Sequence, residues 1–251
     1  PRDPHYHEAE FQMHYDTALY GALRDIGHGN APAEKVFEAL DDAVWQGFPE
    51  SAVHLRYIEN HDEPRYLNEC SEAALRAAAA ATFTLPGAPM IYYGQERGMI
   101  AQRGPMKWYD GDADLTEFHR SLSTLRREQP ALKHGEVERL SVDVAERRTP
   151  EVSEPEPVDS DAIAEIVAAN GSGEPAGADR VVAYARDDGD DRLLVVLNFG
   201  DEPQAVGLPE PVGSTDLRTG SPLRKRYPQD AAEAACDSYL LVDDVVICRA
   251  A

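Results

Sequence analysis

The sequence predicts an α/β protein in which a parallel sheet with crossover helices is followed by an antiparallel β module. Up to about residue 134, strand-like and helix-like segments alternate, which is the pattern of parallel strands joined by helices. From about residue 135, short β-rich runs separated by turn residues replace this alternation. The 251 residues suffice for one large domain or for a moderate and a small one. We therefore divide the chain into residues 1–134 and residues 135–251.

Residues 11–45 predict one short strand and two helices. The stretch "FQMHYD" favours a strand, and the residues after it have apolar side chains at helical spacing until Gly27 and Gly29 interrupt the pattern. The stretch "APAEKVFEALDDAVW" repeats that spacing and predicts a second helix. The apolar faces consist of Leu19, Leu23 and Ile26 in the first helix and of Val36, Leu40 and Val44 in the second.

Residues 53–132 continue the alternation with two more strands, each followed by a helix. The stretch "VHLRYIENHD" predicts one strand, and "PGAPMIYYG", apolar from Met90 to Tyr93, predicts the other. The stretch "SEAALRAAAAATFTL" predicts a helix with Ser71 as its N-cap. The stretch "DLTEFHRSLSTLRREQPAL" predicts an amphipathic helix. Its apolar stripe consists of Leu115, Phe118, Leu122 and Leu125.

Four β-rich runs in the last part of the chain predict an antiparallel sandwich. They read "VVAYARDD", "RLLVVLNFG", "QAVGLP" and "SYLLVDDVVICR", and Asp187–Asp191 between the first two predicts a hairpin turn. Residues 149–179, which precede them, are acidic and rich in proline, glycine, serine and alanine. We predict that this segment is a mobile loop inserted near the start of the β module.

Charge is the unusual feature of the composition. Aspartate and glutamate number 46 against 24 lysines and arginines, the net charge is −22, and only four basic residues are lysines. Such a surface repels nucleic acid and anionic membranes, so we predict neither as a partner. An acidic, lysine-poor surface predicts a halophilic protein that stays soluble in concentrated salt. The scattered placement of the acids favours this interpretation over that of an ordinary acidic protein.

The sequence offers no recognisable cysteine framework, metal motif or membrane segment. Its three cysteines form no CxxC pair, which argues against a disulfide scaffold and a cysteine zinc site. The "HYHE" stretch lacks further ligands at helical spacing, so we predict no metal site there. No apolar run approaches the ~20 residues of a membrane span, and no signal peptide is recognisable. A cytoplasmic location is favoured, but because the chain begins at Pro1 rather than methionine, secretion stays open.

Polar clusters follow two neighbouring strands of the predicted sheet. His61 and Asp62 follow the apolar part of one strand, and Gln95 and Glu96 follow the next. In a parallel α/β barrel, chemistry takes place where the carboxyl ends of the strands meet the loops, which favours a shared site. The alternative is structural, with the acids capping the next helix and His61 filling a gap. Spacing alone does not decide between the two.

The stretches "YIENHDEPR" and "TLPGAPMIYYGQERGM" resemble the α-amylase family of glycoside hydrolases. In that family, strand seven of a (β/α)8 TIM barrel ends in Asn-His-Asp. Strand eight follows a Leu-Pro-Gly turn and reads Pro-Met-Ile-Tyr-Tyr-Gly-x-Glu. "RGPMKW" and "LRREQPAL" resemble the segments after strand eight, and "RLLVVLNFGDEPQAV" resembles the family's C-terminal β-sandwich. The resemblance implies the C-terminal portion of a barrel, strands six to eight, followed by that sandwich.

The resemblance also implies roles for the polar cluster. Enzymes of the family use an aspartate nucleophile and a glutamate acid, a pair that retaining chemistry places about 5 Å apart. Their third carboxylate matches Asp62. With His61 it is expected to bind sugar hydroxyls and stabilise the transition state, and Asn60 completes the motif. The nucleophile's Gly-x-Arg-x-Asp pattern does not occur in the chain, and neither Gly-Glu pair is placed to supply the acid.

Other residues are expected to support the site. Arg65 is expected to pair with a nearby glutamate and to hold the loop after strand seven. The candidate partners are Glu59, Glu63 and Glu96. Glu96 also resembles the family's strand-eight glutamate, and we interpret it as support for the site. Trp108 is either a sugar platform or an ordinary packing residue. No cofactor is predicted for this chain, although full-length members of the family often bind calcium.

Two functional hypotheses follow. The first is the C-terminal part of a retaining glycosidase that acts on an α-glucan or malto-oligosaccharide. It would be inactive alone, and the missing N-terminal part of the same enzyme would be its partner. Glucanotransferases and sugar isomerases of the family share the strand-seven motif, so the motif does not distinguish them. The second is a non-catalytic glucan-binding or partner-binding remnant. A fragment, a truncated gene product and one part of a split gene all fit the sequence.

Overall fold

A computed structural model describes residues 3–49, 51–145, 177–226 and 239–251. These residues form one three-stranded parallel sheet and two four-stranded antiparallel sheets. The parallel sheet comes first in the chain, as the alternation of strand and helix signals predicted. The predicted mobile insert lies outside the described residues, except that its end reaches into a short 3-10 turn, Gly177–Arg180.

The parallel sheet contains β1 (Met13–Tyr15), β2 (Val53–Arg56) and β3 (Ala88–Pro89) in spatial order β1-β2-β3. Helices connect the strands and cover the sheet, as expected for parallel crossovers. The helices are α1 (His5–Ala9), α2 (Thr17–Gly27), α3 (Lys35–Trp45), α4 (Glu72–Thr84), α5 (Ala113–Glu128) and α6 (Pro130–His134).

Side-chain caps explain where three of these helices begin. Asp16 accepts a hydrogen bond from the Leu19 amide at 2.9 Å at the start of α2, and Asp112 caps α5 in the same way. Ser71 Oγ accepts from the Ala74 amide at 3.3 Å, which confirms the predicted N-cap of α4. The predicted apolar stripe of α5 is buried.

The apolar face of α3 is shorter than predicted. Val36 is buried and Leu40 packs against the core, but Val44 is 79% exposed and the following Trp45 is exposed as well. The prediction that Val44 lies on the buried face is therefore wrong, because the last turn of α3 projects beyond the layer that buries its first turns.

Strands β2 and β3 are also shorter than predicted. The β2 ladder ends at Arg56 instead of continuing to Asp62, and β3 pairs only at Ala88 and Pro89. The reason is that β1 ends at Tyr15 and turns into α2 at Thr17, so the parallel ladder between β1 and β2 stops at Leu55. The Met90 amide donates to the Arg56 carbonyl at 2.8 Å just after the β3 ladder. The polar cluster therefore lies on loops rather than within strands.

The two antiparallel sheets have the strand orders β11-β7-β6-β4 and β5-β8-β10-β9. The predicted turn at Asp187–Asp191 joins β6 and β7, which confirms the hairpin. The predicted run "SYLLVDDVVICR" forms two strands, β10 and β11, which belong to different sheets. The strands are β4 (Glu136–Leu140), β5 (Asp143–Val144), β6 (Val181–Asp187), β7 (Arg192–Asn198), β8 (Gln204–Gly207), β9 (Lys225–Arg226), β10 (Tyr239–Val242) and β11 (Val245–Arg249).

The β11-β7-β6-β4 sheet is covered on both faces. Ala183 and Val196 lie on the face that shares a core with Leu240 of the other antiparallel sheet. Tyr184 and Val195 point the other way, into the core that contains the helices. Residues at alternate positions of one strand therefore pack into two different cores, one on each face of the sheet. None of the described helices is long and apolar enough to cross a membrane.

A buried arginine joins this sheet to the ends of two helices. Arg186 of β6 donates to the carbonyl of Thr84, to that of Leu132 at 3.1 Å and to that of Gly135 at 2.7 Å. These carbonyls lie at or near the C-termini of α4 and α6, where intrahelical partners are missing. Burial lowers the pKa of Arg186 to about 10, which still leaves it charged at neutral pH. The helix layer and the β module therefore share a hydrogen-bonded junction.

Candidate functional site

The candidate site is a loop that follows β2 and is shaped by Asn60. The buried Asn60 Oδ1 accepts hydrogen bonds from the amides of Asp62 at 2.8 Å and Glu63 at 3.0 Å. An asparagine that bonds to the backbone two residues ahead closes a turn, so Asn60 fixes the loop conformation. The next two side chains are thereby presented at the carboxyl end of the parallel sheet.

His61 and Asp62 are both open to solvent, with side-chain exposures of 58% and 69%. His61 Nε2 lies 3.1 Å from Asp62 Oδ2. A carboxylate accepts hydrogen bonds and an imidazole N–H donates one, so together they can bind neighbouring hydroxyl groups. Their exposure leaves this edge accessible to a ligand.

Arg65 supports the loop from its buried side. Its fully buried side chain donates from Nη1 to Glu59 Oε1 at 2.6 Å, so Glu59 is its partner among the three predicted glutamates. Glu59 Oε2 also accepts from the Tyr66 amide at 2.8 Å. Burial raises the pKa of Glu59, and the bonds from Tyr66 and Arg65 oppose that effect. This pair anchors both ends of the turn.

Two tyrosines flank the same guanidinium. Arg65 Cζ lies 4.3 Å from the Tyr92 ring centroid and 5.1 Å from that of Tyr93. These distances are within the range of cation–π contacts. The loop after β2 and the segment after β3 therefore meet at Arg65, as a shared site at two strand ends requires.

Glu96 is held by contacts with α5. Its backbone carbonyl accepts from Thr116 Oγ1 at 2.7 Å, and within the described part of the chain its buried Oε2 has no hydrogen-bond partner. The neighbouring Gln95 contacts His119, whose Nε2 is 3.2 Å from Gln95 Nε2. Burial lowers the pKa of His119, which favours the neutral ring that this contact requires. The structure thus ties this segment to α5, and the supporting role of Glu96 stays a prediction.

Trp108 is 72% exposed, on a loop beyond β3. Arg97 fixes the backbone there by donating from Nε to the Lys107 carbonyl at 3.0 Å and from Nη2 to the Trp108 carbonyl at 3.4 Å. The indole is therefore presented to solvent from an anchored loop. Its role as a sugar platform stays a prediction.

Sequence reasoning missed two residues that contact the site. Gln102 Nε2 donates to the His61 carbonyl at 3.1 Å. Arg103 donates to the same carbonyl from Nε at 3.0 Å and from Nη2 at 2.8 Å, and Nη2 lies 3.3 Å from Asp62 Oδ1. The available signal was a Gln-Arg pair directly before Gly104 and Pro105, on the segment that follows the second polar strand end.

The histidines of the "HYHE" stretch divide between surface and interior. His5 is exposed, whereas His7 is buried against His14, with ring centroids 4.6 Å apart. The rings of His14 and His54 are 4.5 Å apart. Among the described residues, no group of three histidine, cysteine, aspartate or glutamate side chains is arranged to hold a metal ion. The rings pack as an interior cluster.

Comparisons with known proteins identify the family of the chain. The family "Alpha amylase, catalytic domain" matches residues 9–175, and a domain of unknown function, DUF3459, matches residues 154–235. The chain is 39% identical over 220 residues to "Alpha-amylase MalA" of Haloarcula japonica, covering 88% of this chain and 29% of that protein. It is 34% identical over 126 residues to "Neopullulanase 2" of Thermoactinomyces vulgaris, covering 46% of this chain and 21% of that protein.

A solved structure shows the same fold. The maltogenic α-amylase AmyB of Thermotoga neapolitana matches with a TM-score of 0.71 at 19% identity, covering 99% of this chain and 53% of that one. The chain thus spans less than a third of these curated relatives and about half of this structure. The catalytic-domain match covers most of the chain, so the chain belongs to the α-amylase family of glycoside hydrolases.

Proposed function

We propose that this chain is the C-terminal part of a retaining glycosidase of the α-amylase type that acts on α-linked glucans. His61 and Asp62 form one wall of its sugar site. The observation that carries the proposal is the turn closed by Asn60, which presents an imidazole and a carboxylate side by side at the carboxyl end of a parallel strand. Active sites of (β/α)8 barrels lie at this end of the strands.

The parallel sheet supports the placement within a larger barrel. Within the described residues, β1 and β3 each have a neighbour on only one side. Met13 and Tyr15 on β1 are 43% and 45% exposed, and Ile91 and Tyr93 after β3 are exposed too. Three strands do not close a barrel, and apolar side chains at open edges favour further strands there. We infer that β1 to β3 are barrel strands six to eight.

The proposed chemistry divides between this chain and the missing strands. An aspartate nucleophile and a glutamate acid would come from residues outside the chain, since their patterns do not occur in it. Asp62 would accept hydrogen bonds from sugar hydroxyls, and His61 would donate one. Bonds that tighten as the sugar ring distorts lower the barrier rather than strengthen ground-state binding. The proposed role of this chain is therefore stabilisation of the transition state.

The test uses Asp62→Asn in the polypeptide that includes the upstream barrel strands. The amide cannot accept on both sides, so we expect kcat on malto-oligosaccharides to fall at least about tenfold, or about 1.4 kcal/mol. An unchanged kcat would remove Asp62 from the site. The purified 251-residue chain should show no hydrolysis of starch or maltosides, and detectable hydrolysis would overturn its assignment as an incomplete site.

A second candidate is a non-catalytic glucan-binding remnant. The absence of the nucleophile pattern and of a suitably placed Gly-Glu pair favours it. Reading the coding sequence upstream of Pro1 separates the two candidates. An in-frame Gly-x-Arg-x-Asp segment followed by a Gly-Glu segment supports the enzyme, and their absence supports the remnant. Product analysis with the longer polypeptide then distinguishes hydrolysis from glucan transfer and sugar isomerisation.

A further inference from the structure

We propose that Arg103 is a positioning residue of the sugar site and that residues 100–104, here termed the strap, fix the geometry of His61 and Asp62. The inference rests on the proposed function, because it concerns how the proposed transition-state stabiliser is held. It goes beyond the Asn-His-Asp motif, since the strap lies on a different segment of the chain.

Side-chain donors from outside hold the strap at four carbonyls. Asn68 Nδ2 donates to the Ile100 carbonyl at 2.8 Å, and Arg65 Nε donates to the Ala101 carbonyl at 3.0 Å. The Tyr92 hydroxyl donates to the Gln102 carbonyl at 3.0 Å, and the Tyr93 hydroxyl donates to the Gly104 carbonyl at 2.8 Å. A loop bound at so many points has few alternative conformations, so the side chains that it presents are placed with precision.

The strap in turn fixes the carbonyls of the site loop. Gln102 Nε2 lies 3.1 Å from the carbonyls of both His61 and Glu63. Arg103 adds two donors to the His61 carbonyl. A fork of guanidinium donors on one carbonyl restricts rotation of the peptide that joins His61 to Asp62.

Arg103 also completes the contacts of the Asp62 side chain. Its Nη2 lies 3.3 Å from Oδ1, while His61 Nε2 lies 3.1 Å from Oδ2. Each carboxylate oxygen is therefore contacted by a side-chain nitrogen, and the amide of the same residue is bound by Asn60. The carboxylate is oriented before substrate arrives, which is the condition under which such a group lowers a reaction barrier most.

The solvent exposure of Arg103 favours a positioning role over a role in holding the fold together. Arg103 is 66% exposed, and an ion pair at that exposure contributes little to stability. Arg65, by contrast, is fully buried and anchors the fold of the loop. We therefore expect Arg103 to affect orientation of the site while leaving the folded state intact.

The experiment compares Arg103→Ala, Arg103→Lys and a matched control in the polypeptide that carries the upstream strands. Arg120 serves as the control, because it is 64% exposed and paired with a carboxylate, Glu117, on the outside of α5. We expect Arg103→Ala to lower kcat about tenfold with KM changed less than about threefold and the unfolding midpoint within about 2 °C. Arg103→Lys should recover only part of the rate, because an ammonium lacks the fork. Arg120→Ala should leave the kinetics unchanged.

Three results would overturn the proposal. An unchanged kcat in Arg103→Ala removes the positioning role. A rise in KM alone indicates a sugar contact, and a loss of rate that follows a loss of folded protein indicates a structural residue. If Asp62→Asn lowers kcat but Arg103→Ala does not, only this inference fails, whereas an inert Asp62→Asn removes the proposed function itself.

Amide exchange in the 251-residue chain gives an independent readout. We expect Arg103→Ala to accelerate hydrogen exchange at Asp62 and Glu63, whose amides bind Asn60, and to leave exchange in α4 unchanged. Unchanged exchange at both residues contradicts the proposal, because a released peptide would open this turn more often.

Discussion

Arginines make the same kind of bond, guanidinium to backbone carbonyl, in two regions of this molecule with opposite surroundings. Arg186 is fully buried where the β module meets the ends of α4 and α6. Arg103 is largely exposed where the strap meets the site loop. When water has no access, a lost donor leaves a carbonyl unsatisfied, whereas at an exposed site water takes its place. The buried arginine should therefore determine stability, and the exposed one should determine orientation.

The largest expected effect is a loss of stability on substitution of Arg186, the buried arginine of the two. Arg186→Met keeps much of the side-chain volume but removes the donor to the carbonyls of Thr84 and Gly135. The Leu132 carbonyl still accepts from Arg126 Nη1 at 2.8 Å. Two unsatisfied buried acceptors predict a loss of about 3 kcal/mol in the free energy of unfolding. Urea denaturation of the 251-residue chain measures it.

Arg139→Ala is the matched control, because Arg139 lies on the neighbouring strand β4 and pairs with Asp41 at the surface. We expect its loss of stability to stay below about 1 kcal/mol. Equal losses in the two variants would contradict the view that burial separates the two kinds of arginine.

The second expected effect is a loss of stability at low pH, caused by His14, a buried residue of β1. His14 is buried, stacks on Phe48 with ring centroids 4.2 Å apart, and faces His7 and His54. Its pKa is lowered to about 4, first by burial and then by the nearby charges of His54, His7 and Arg56. A folded-state pKa below the unfolded value means that the unfolded chain takes up the proton first. Stability is therefore complete above about pH 6.5 and falls as the pH drops toward 4.

The measurement compares unfolding at about pH 7.5 and about pH 5, where His14 alone should cost about 2 kcal/mol. His14→Phe removes this titrating group and should reduce the dependence, leaving the part due to His54, whose pKa burial also lowers. His134→Gln, at an exposed position on α6, should leave it unchanged. An NMR titration in which the His14 ring protonates above pH 6 would contradict the prediction.

Local features of this fold could be predicted from the sequence, and features that depend on distant contacts could not. The Ser71 cap and the α5 stripe depend on residues a few positions apart, so their patterns were sufficient. The length of β2 depends on where β1 becomes helix, and no pattern within β2 records that. Arg103 was missed for the same reason, since its contact with His61 joins residues 42 positions apart. The motif at His61 and Asp62 was visible because its residues are consecutive.

The smallest expected effect is at the opposite end of α4 from Arg186. Ser71 is half-buried and satisfies one amide of the first turn, at 3.3 Å. Ser71→Ala should lower the free energy of unfolding by about 1 kcal/mol, because water can reach that amide in place of the hydroxyl. Ser71→Asp keeps an acceptor at the helix N-terminus and should restore most of the loss. Urea denaturation of both variants, with Arg186→Met beside them, compares the two ends of one helix. If Ser71→Ala cost as much as Arg186→Met, access of water would not explain the difference between the regions, and the predicted tolerance of Arg103→Ala would lose its basis.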